Sequence, residues 1–435
     1  MTRNLNRVTE TPDPAAGVSR RKLLGAAGLG AIAAGAIGAG AGYAVGDDTP
    51  PVTPDPDAVP VPFDGEHQAG IVTPAQDRLY ITALDLTTES RGDLILLLQE
   101  WTAAARKMAA GNEVGEFGAV AGAPFSPPED TGEALGLPPS GLTVTVGFGR
   151  GMFVDDEGKP RFGLEGQLPE ALKDLPSFSG DRLDPAMSGG DLIIQACAND
   201  PQVAVHAVRN LVRIAFGRAS VRWSQMGFGR TSSTSSAQVT PRNLFGFKDG
   251  TANIKSESPD VVDEFVWVHP DDGPRWLAGG SYLVTRKIDM RIETWDREPL
   301  AGQEAIIGRT KGSGGPLSGG DEFAEPDFDA AEDGDPLIPA TSHVRLAHPD
   351  FNGGVQILRR GYNFVDGSNG LGQLNAGLFF ISFQRDPDQF STIQRSLAGS
   401  TNDALNEYIV HVSSGVFACP PGVGPDGFWG DQLFA

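Results

Sequence analysis

Apolar and polar positions alternate over residues 77–86 (DRLYITALDL), the period of a strand with one buried face. Over 92–108 the spacing changes to that of an amphipathic helix. Residues 142–148 (LTVTVGF) and 191–198 (DLIIQACA) predict two further strands, separated by Gly/Pro-rich and irregular stretches at 111–140 and 160–185. Asn199-Asp200-Pro201 is a helix-start signal, and it opens a helix over 203–216. A fourth strand follows at 220–228. Strand, helix, strand, strand, helix, strand is the order of a ferredoxin-like unit.

The second half runs through the same order, with strands at 280–294, 355–364 and 378–383 and helices at 299–310 and 390–397. An offset of 186 positions lays Leu192 on Leu378, Asp200 on Asp386, Pro201 on Pro387, Arg209 on Arg395 and Leu211 on Leu397. The expected fold is α+β: two ferredoxin-like domains, duplicated, each an antiparallel sheet with helices packed on it. The domains are expected at 63–240 and 241–435.

Composition narrows the function. With 34 basic and 56 acidic side chains in 435 residues, the formal net charge of -22 excludes a nucleic-acid partner, whose phosphates need a basic surface. Two cysteines, Cys197 and Cys419, cannot build a disulfide framework or a four-thiolate metal site, although one bridge between them stays open. The six histidines show no zinc-site spacing. His206 falls on the apolar face of a helix, and His269 and His348 each precede a proline in turn contexts; all three read as structural. At the N-terminus, Ser19-Arg20-Arg21-Lys22-Leu23-Leu24 leads into a weakly apolar run, 25–45. This is the pattern of a twin-arginine signal, assigned to 1–46, with an uncleaved anchor as the other reading. A Pro/Asp-rich linker, expected to be disordered, follows at 47–62. The twin-arginine route exports folded proteins, often with a cofactor in place, so the expected location is extracellular or in the cell envelope (periplasm).

Three stretches carry chemistry. Leu244-Phe245-Gly246-Phe247-Lys248-Asp249-Gly250-Thr251-Ala252-Asn253 sets one carboxylate between two glycines. Its bland reading is a type I′ turn on Asp249-Gly250; its functional one is a loop that holds Asp249 against a flat ligand or a metal. His343, in SHVRLAHP, suits haem iron, which needs only an axial ligand from the protein. Arg359 and Arg360, adjacent on a strand, could reach haem propionates or a bound peroxide.

Together these stretches resemble the dye-decolorising peroxidases: GFKDG resembles their GxxDG motif, and SHVRLAHP and ILRRGYNF their two other landmarks. The segment Phe63-Asp64-Gly65-Glu66-His67-Gln68-Ala69-Gly70-Ile71 resembles the N-terminal motif of the exported, deferrochelatase-like branch. Gly308-Arg309-Thr310-Lys311 and 377–384 (GLFFISFQ) are also similar to it. The resemblance spans 63 to the C-terminus. It implies one haem b in the C-terminal domain, His343 as proximal iron ligand, and Asp249 and Arg359 as the catalytic distal pair. Gly250, Arg309 and Arg359 are implied as further haem contacts, and Glu407 or Asp386 as the acid behind His343. The implied substrates are hydrogen peroxide and an organic electron donor such as a dye or phenol. Alternatives are a deferrochelatase that frees iron from intact porphyrin, and a non-catalytic exported haem-binding protein. Iron- or copper-handling partners in the envelope and a homo-oligomer are further associations that this branch leaves open.

Overall fold

A computed structural model describes residues 56–399 and 401–435. The signal expected over 1–46 lies outside them, as does the linker up to residue 55. The rest of the linker is tied down: the Asp57 carbonyl accepts the Ser140 N–H at 2.9 Å, and its carboxylate accepts from Asn199 Nδ2 at 2.7 Å.

The first half contains β1 (Arg78–Leu86), α1 (Arg91–Ala109), β2 (Thr143–Phe148), β3 (Leu192–Ala198), α2 (Pro201–Ala215) and β4 (Ala219–Arg230). A short helix α3 (Pro259–Phe265) lies between β4 and the next strand. The second half begins with β5 (Ser281–Met290), α4 (Ile292–Trp295) and α5 (Leu300–Ile307). A two-residue ribbon of β6 (Ala331–Glu332) and β7 (Asp335–Pro336) precedes α6 (His343–Ala347). Then come β8 (Leu358–Arg359), β9 (Tyr362–Ser368), β10 (Leu374–Gln384), α7 (Pro387–Leu397), β11 (Ile409–His411) and β12 (Gly415–Cys419). The helices begin alike at equivalent positions of the two halves. Asp200 caps α2 by accepting from Gln202 N at 2.6 Å, and Asp386 caps α7 by accepting from Asp388 N at 2.8 Å, each followed by a proline. Proline suits that place because the first helical N–H has no partner to lose.

Strand order is β2-β3-β1-β4 in the first half and β9-β10-β5-β12 in the second, the ferredoxin-like order in both. The two sheets also join edge to edge. Phe228 of β4 pairs with Asn363 of β9, and Phe148 of β2 with Ala418 of β12, so the sheet closes on itself. Inward side chains, among them Ile81, Ile193, Leu283, Phe364, Ile381 and Phe417, fill one shared interior. Cys197 and Cys419 both lie there, buried and unpaired, so the bridge left open from the sequence is not formed. The outer face of the first half is covered by α1 and α2, through Leu94, Leu98, Trp101 and Leu211. His206 is structural, as its spacing suggests: its Nε2 meets Asp130 Oδ1 at 2.8 Å. On the outer face of the second half, Ile288, Met290 and Leu378 pack against Phe245, Phe247, Trp295 and Leu405.

The strand expected at 355–364 is broken between β8 and β9, although both keep one register on β10, with Arg359 opposite Ser382 and Tyr362 opposite Phe379. Strand alternation sends neighbouring side chains to opposite faces. Leu358 and Tyr362 face the interior, so Arg360 does too, where it is fully buried and bonds to the Thr73 carbonyl and Gln76 Oε1. Arg359 is thereby sent to the outer face of the second half.

Candidate active site

The Asp249 loop is built on a turn, but not on Asp249-Gly250. The turn closes earlier: Gly246 N–H donates to the Asn243 carbonyl at 2.9 Å, and Asn243 N–H to the Phe247 carbonyl at 3.1 Å. Gly246, at φ +82°, takes the left-handed conformation that the turn needs. Phe245 and Phe247 are buried in the outer-face cluster and anchor the loop. Gly250, at φ +76°, lies against Ser232, whose Cβ would stand 2.9 Å from any added side chain, so this position excludes one. Between these glycines Asp249 donates its N–H to the Pro241 carbonyl at 3.0 Å. Its carboxylate is held at both ends: Oδ1 accepts from Arg359 Nη2 at 2.7 Å and Oδ2 from Asn243 Nδ2 at 3.0 Å.

The pleat thus decides which of the two arginines meets Asp249. The Arg359 guanidinium lies 5.6 Å from the centre of the Phe380 ring, and its Nε is buried without a partner among the described residues. Its main chain is clamped by Asn253, whose Oδ1 accepts the Arg359 N–H at 2.7 Å and whose Nδ2 donates to the Arg359 carbonyl at 2.9 Å.

His343 is the first residue of α6. Its Nδ1 bonds to Asp403 Oδ2 at 2.6 Å, and neither Glu407 nor Asp386 supplies that acid. Asp386 is spent on capping α7, and Glu407 is exposed at the end of a 3-10 turn. Asp403 is 1% exposed at its side chain; its other oxygen accepts the Leu405 N–H at 2.9 Å, which fixes the carboxylate. Burial pulls the imidazole pKa down, but the charge and hydrogen bond of Asp403 outweigh it, so the pKa of the metal-free ring is raised. Arg359 and Asp249 also act on it, with opposite signs and smaller effect. The loop, β8 and α6 therefore bring Asp249, Arg359 and His343 within electrostatic reach of one another. With Nδ1 committed, Nε2 is the nitrogen left for a ligand.

His348 is a different case. Its Nδ1 accepts the Asp350 N–H at 3.3 Å, and its Nε2 pairs at 3.2 Å with Glu325 Oε1, which lies in an acidic, Gly-rich insert over residues 313–335. Arg309, expected at the haem, bonds through Nη1 to the carbonyls of Gly314 and Glu322 at 2.8 Å, and so braces the start of that insert. Glu322 in turn pairs with Lys248 and accepts from Thr251 Oγ1 at 3.3 Å, which ties the insert to the Asp249 loop. The sequence reading missed Asp403, Asn243 and Asn253. A local signal existed only for Asn243, whose type and place suit a turn start.

These residues fit a haem. Among the described residues no three His, Cys, Asp or Glu side chains converge on one point, so a metal on His343 Nε2 has to bring its other ligands, as a porphyrin does. The Phe380 ring beside the Arg359 guanidinium gives the site an apolar surface that suits a flat macrocycle, and the orphaned Arg359 Nε–H suits an acceptor beside it.

Comparison with known proteins agrees. The family description "Dyp-type peroxidase, N-terminal" matches residues 68–229, and "Dyp-type peroxidase, C-terminal" matches residues 240–424. A deferrochelatase of Shigella sonnei is 38% identical over 413 residues, covering 93% of this chain and 94% of that one. A deferrochelatase of Yersinia pseudotuberculosis is 39% identical over 369 residues, covering 83% and 82%. Among solved structures, ferric DtpA from Streptomyces lividans superposes with a TM-score of 0.78 at 38% identity, over 87% of this chain and 98% of that one. A DyP-type peroxidase from Cellulomonas bogoriensis gives 0.76 at 40% identity, over 87% and 99%. The chain belongs to the Dyp-type peroxidase family. It is a haem enzyme that uses hydrogen peroxide to oxidise an organic donor.

Proposed function

We propose that Asp249 and Arg359 form the distal pair of this peroxidase and that His343, backed by Asp403, is its proximal iron ligand. The observation that carries the proposal is the 2.7 Å contact between Asp249 and Arg359, whose charges both act on His343. Haem, held through His343, would supply the redox chemistry by which peroxide is reduced and the donor oxidised. Asp249 takes the proton from the near oxygen of hydrogen peroxide and returns it to the far oxygen, which leaves as water. Arg359 stays cationic throughout and stabilises the negative charge that builds on the far oxygen as the O–O bond stretches. Asp403 keeps Nδ1 protonated and hydrogen-bonded, which orients the imidazole and makes Nε2 a stronger donor. Gly250 lets the loop backbone approach closely, and Arg309 acts by bracing the insert beside it.

The names of the relatives support a second reading: release of iron from haem with the porphyrin intact, at the same site. The full chain loaded with haem separates the two. Oxidised donor and a Soret change at stoichiometric peroxide support peroxidase as the main activity, whereas free protoporphyrin with little donor turnover supports iron release. Haem binding with neither response leaves a plain binding protein.

The twin-arginine pattern before the linker supports export to the cell envelope or beyond, with 63–240 and 241–435 as the two domains that arrive there folded. Iron- or copper-handling envelope proteins and a second copy of the chain are the associations to seek, by co-purification and light scattering. Cytosolic retention of the full chain in cells lacking the twin-arginine route, against export in parent cells, checks the address.

A further inference from the structure

We propose that Asn253 is a positioning residue for the peroxide step, acting through the main chain of Arg359; the proposal rests on the distal reading of Arg359 given above. Arg359 lies on β8, which is only two residues long and hydrogen-bonds to β10 along one edge. On the other edge no strand is present among the described residues. The Asn253 amide stands in for one. It accepts the Arg359 N–H at 2.7 Å and donates to the Arg359 carbonyl at 2.9 Å, the paired N–H and C=O bonds that a neighbouring strand exchanges.

The clamp is itself fixed. Asn253 is 8% exposed, its Nδ2 also donates to the Ser233 carbonyl at 3.1 Å, and its N–H donates to the Gly250 carbonyl at 3.1 Å. The Ser233 carbonyl takes Lys255 Nζ at 2.7 Å as well, while Ser232 packs on Gly250. Asn253 thus belongs to the loop that carries Asp249, four residues on. One loop grips the guanidinium of Arg359 through Asp249 and the backbone of Arg359 through Asn253.

Asp249 alone is a weak tether. The arginine side chain is long, and a salt link at its tip leaves the backbone free to carry the whole group aside. Peroxide cleavage needs the guanidinium in place beforehand, and a displacement of about 1 Å can cost roughly a hundredfold in rate. Sequence reading passes over Asn253, because a polar residue that follows Gly-Thr-Ala reads as loop.

The test uses the full chain loaded with haem. Asn253→Ala should slow the second-order reaction with peroxide by ten- to a hundredfold, while the Soret band of the His343-ligated iron and the KM for the donor stay at parent values. Asn253→Asp keeps the acceptor for the Arg359 N–H and loses the donor, and should fall between the two. In an Arg359→Leu background, Asn253→Ala should cost less than a further twofold. A parent-like peroxide rate in Asn253→Ala, or a loss that multiplies with Arg359→Leu, overturns the proposal. If Asn253→Ala does not fold, the same comparisons on Asn253→Asp decide. Arg359→Leu reacting at the parent rate would instead remove the distal reading itself, whatever Asn253 does.

Discussion

His343 Nδ1 and Asp403 Oδ2 meet at 2.6 Å although 60 residues separate them, and Asp403 is fixed by a second bond to Leu405 N. An anionic partner makes the imidazole more electron-donating, which favours ferric over ferrous iron. Asp403→Asn keeps the size and removes the charge. It should raise the ferric/ferrous midpoint and weaken haem affinity or activity by roughly ten- to a hundredfold. Spectroelectrochemical titration of the loaded protein checks it; an unchanged midpoint would show that the carboxylate does not act on the iron.

If His343 Nε2 is the protein's iron ligand, His343→Ala should lose stable haem coordination, seen as a shifted and weakened Soret band. Millimolar imidazole should restore the band. His348→Ala should leave it unchanged, since both ring nitrogens of His348 are engaged with Glu325 and Asp350.

Asp249→Asn retains hydrogen-bonding groups and loses the base, so it should bind haem normally and react with peroxide about 10²–10⁴-fold more slowly. Arg359→Leu removes the fixed cation and should cost about 10²–10³-fold. Stopped-flow mixing of the ferric protein with stoichiometric peroxide reads both. A slow Arg359→Leu beside a parent-like Asp249→Asn would make the arginine the main aid to O–O cleavage and reject the carboxylate as the proton carrier.

Elements carried by periodicity or by a cap were legible in the sequence. The strands β1 to β4 and helices α1 and α2 form where alternation and spacing put them, and Asp200-Pro201 and Asp386-Pro387 mark the same helix start in both halves. β11 and β12 were not legible, because runs of three and five residues beside Ser413-Ser414 carry no alternation to read. Nor was the closure of the sheet, which depends on β4 meeting β9 and β2 meeting β12 far along the chain. In the site, motif residues were visible one by one, whereas their supports were not. Asp403 looks from its neighbours like the cap of a short 3-10 turn, and it is one; only the packing of that turn beside α6 gives it a second role. Glu407 sits in the same turn and points to solvent.

The same distinction yields a control. Asp386 is an exposed cap with a reciprocal bond to Gln389, so Asp386→Ala should cost about 1 kcal/mol of stability. It should leave the Soret band, the midpoint and the peroxide rate as they are. Urea unfolding beside the kinetics checks both halves, and a lowered peroxide rate would reopen a functional role for Asp386.

Acid should weaken the fold through His411. Arg286 Nε donates to His411 Nδ1 at 3.3 Å, and the other side of Arg286 pairs with Asp181. Burial first, and then the Arg286 charge, push the His411 pKa down to about 3. An unfolded histidine titrates near 6.5, so between about pH 6.5 and 3 the unfolded chain holds a proton that the folded one does not. Stability therefore falls as pH falls through that window, by up to about 1.4 kcal/mol per pH unit from this one group. Most carboxylates begin to protonate lower, so histidines dominate the interval from pH 6.5 to 5, and a His411 variant separates this one from the others. Over that interval the parent should lose about 1.5 kcal/mol more than His411→Gln, read from urea midpoints at the two pH values. Equal losses would mean that His411 takes up its proton in the folded protein, and that Arg286 and burial do not hold it neutral.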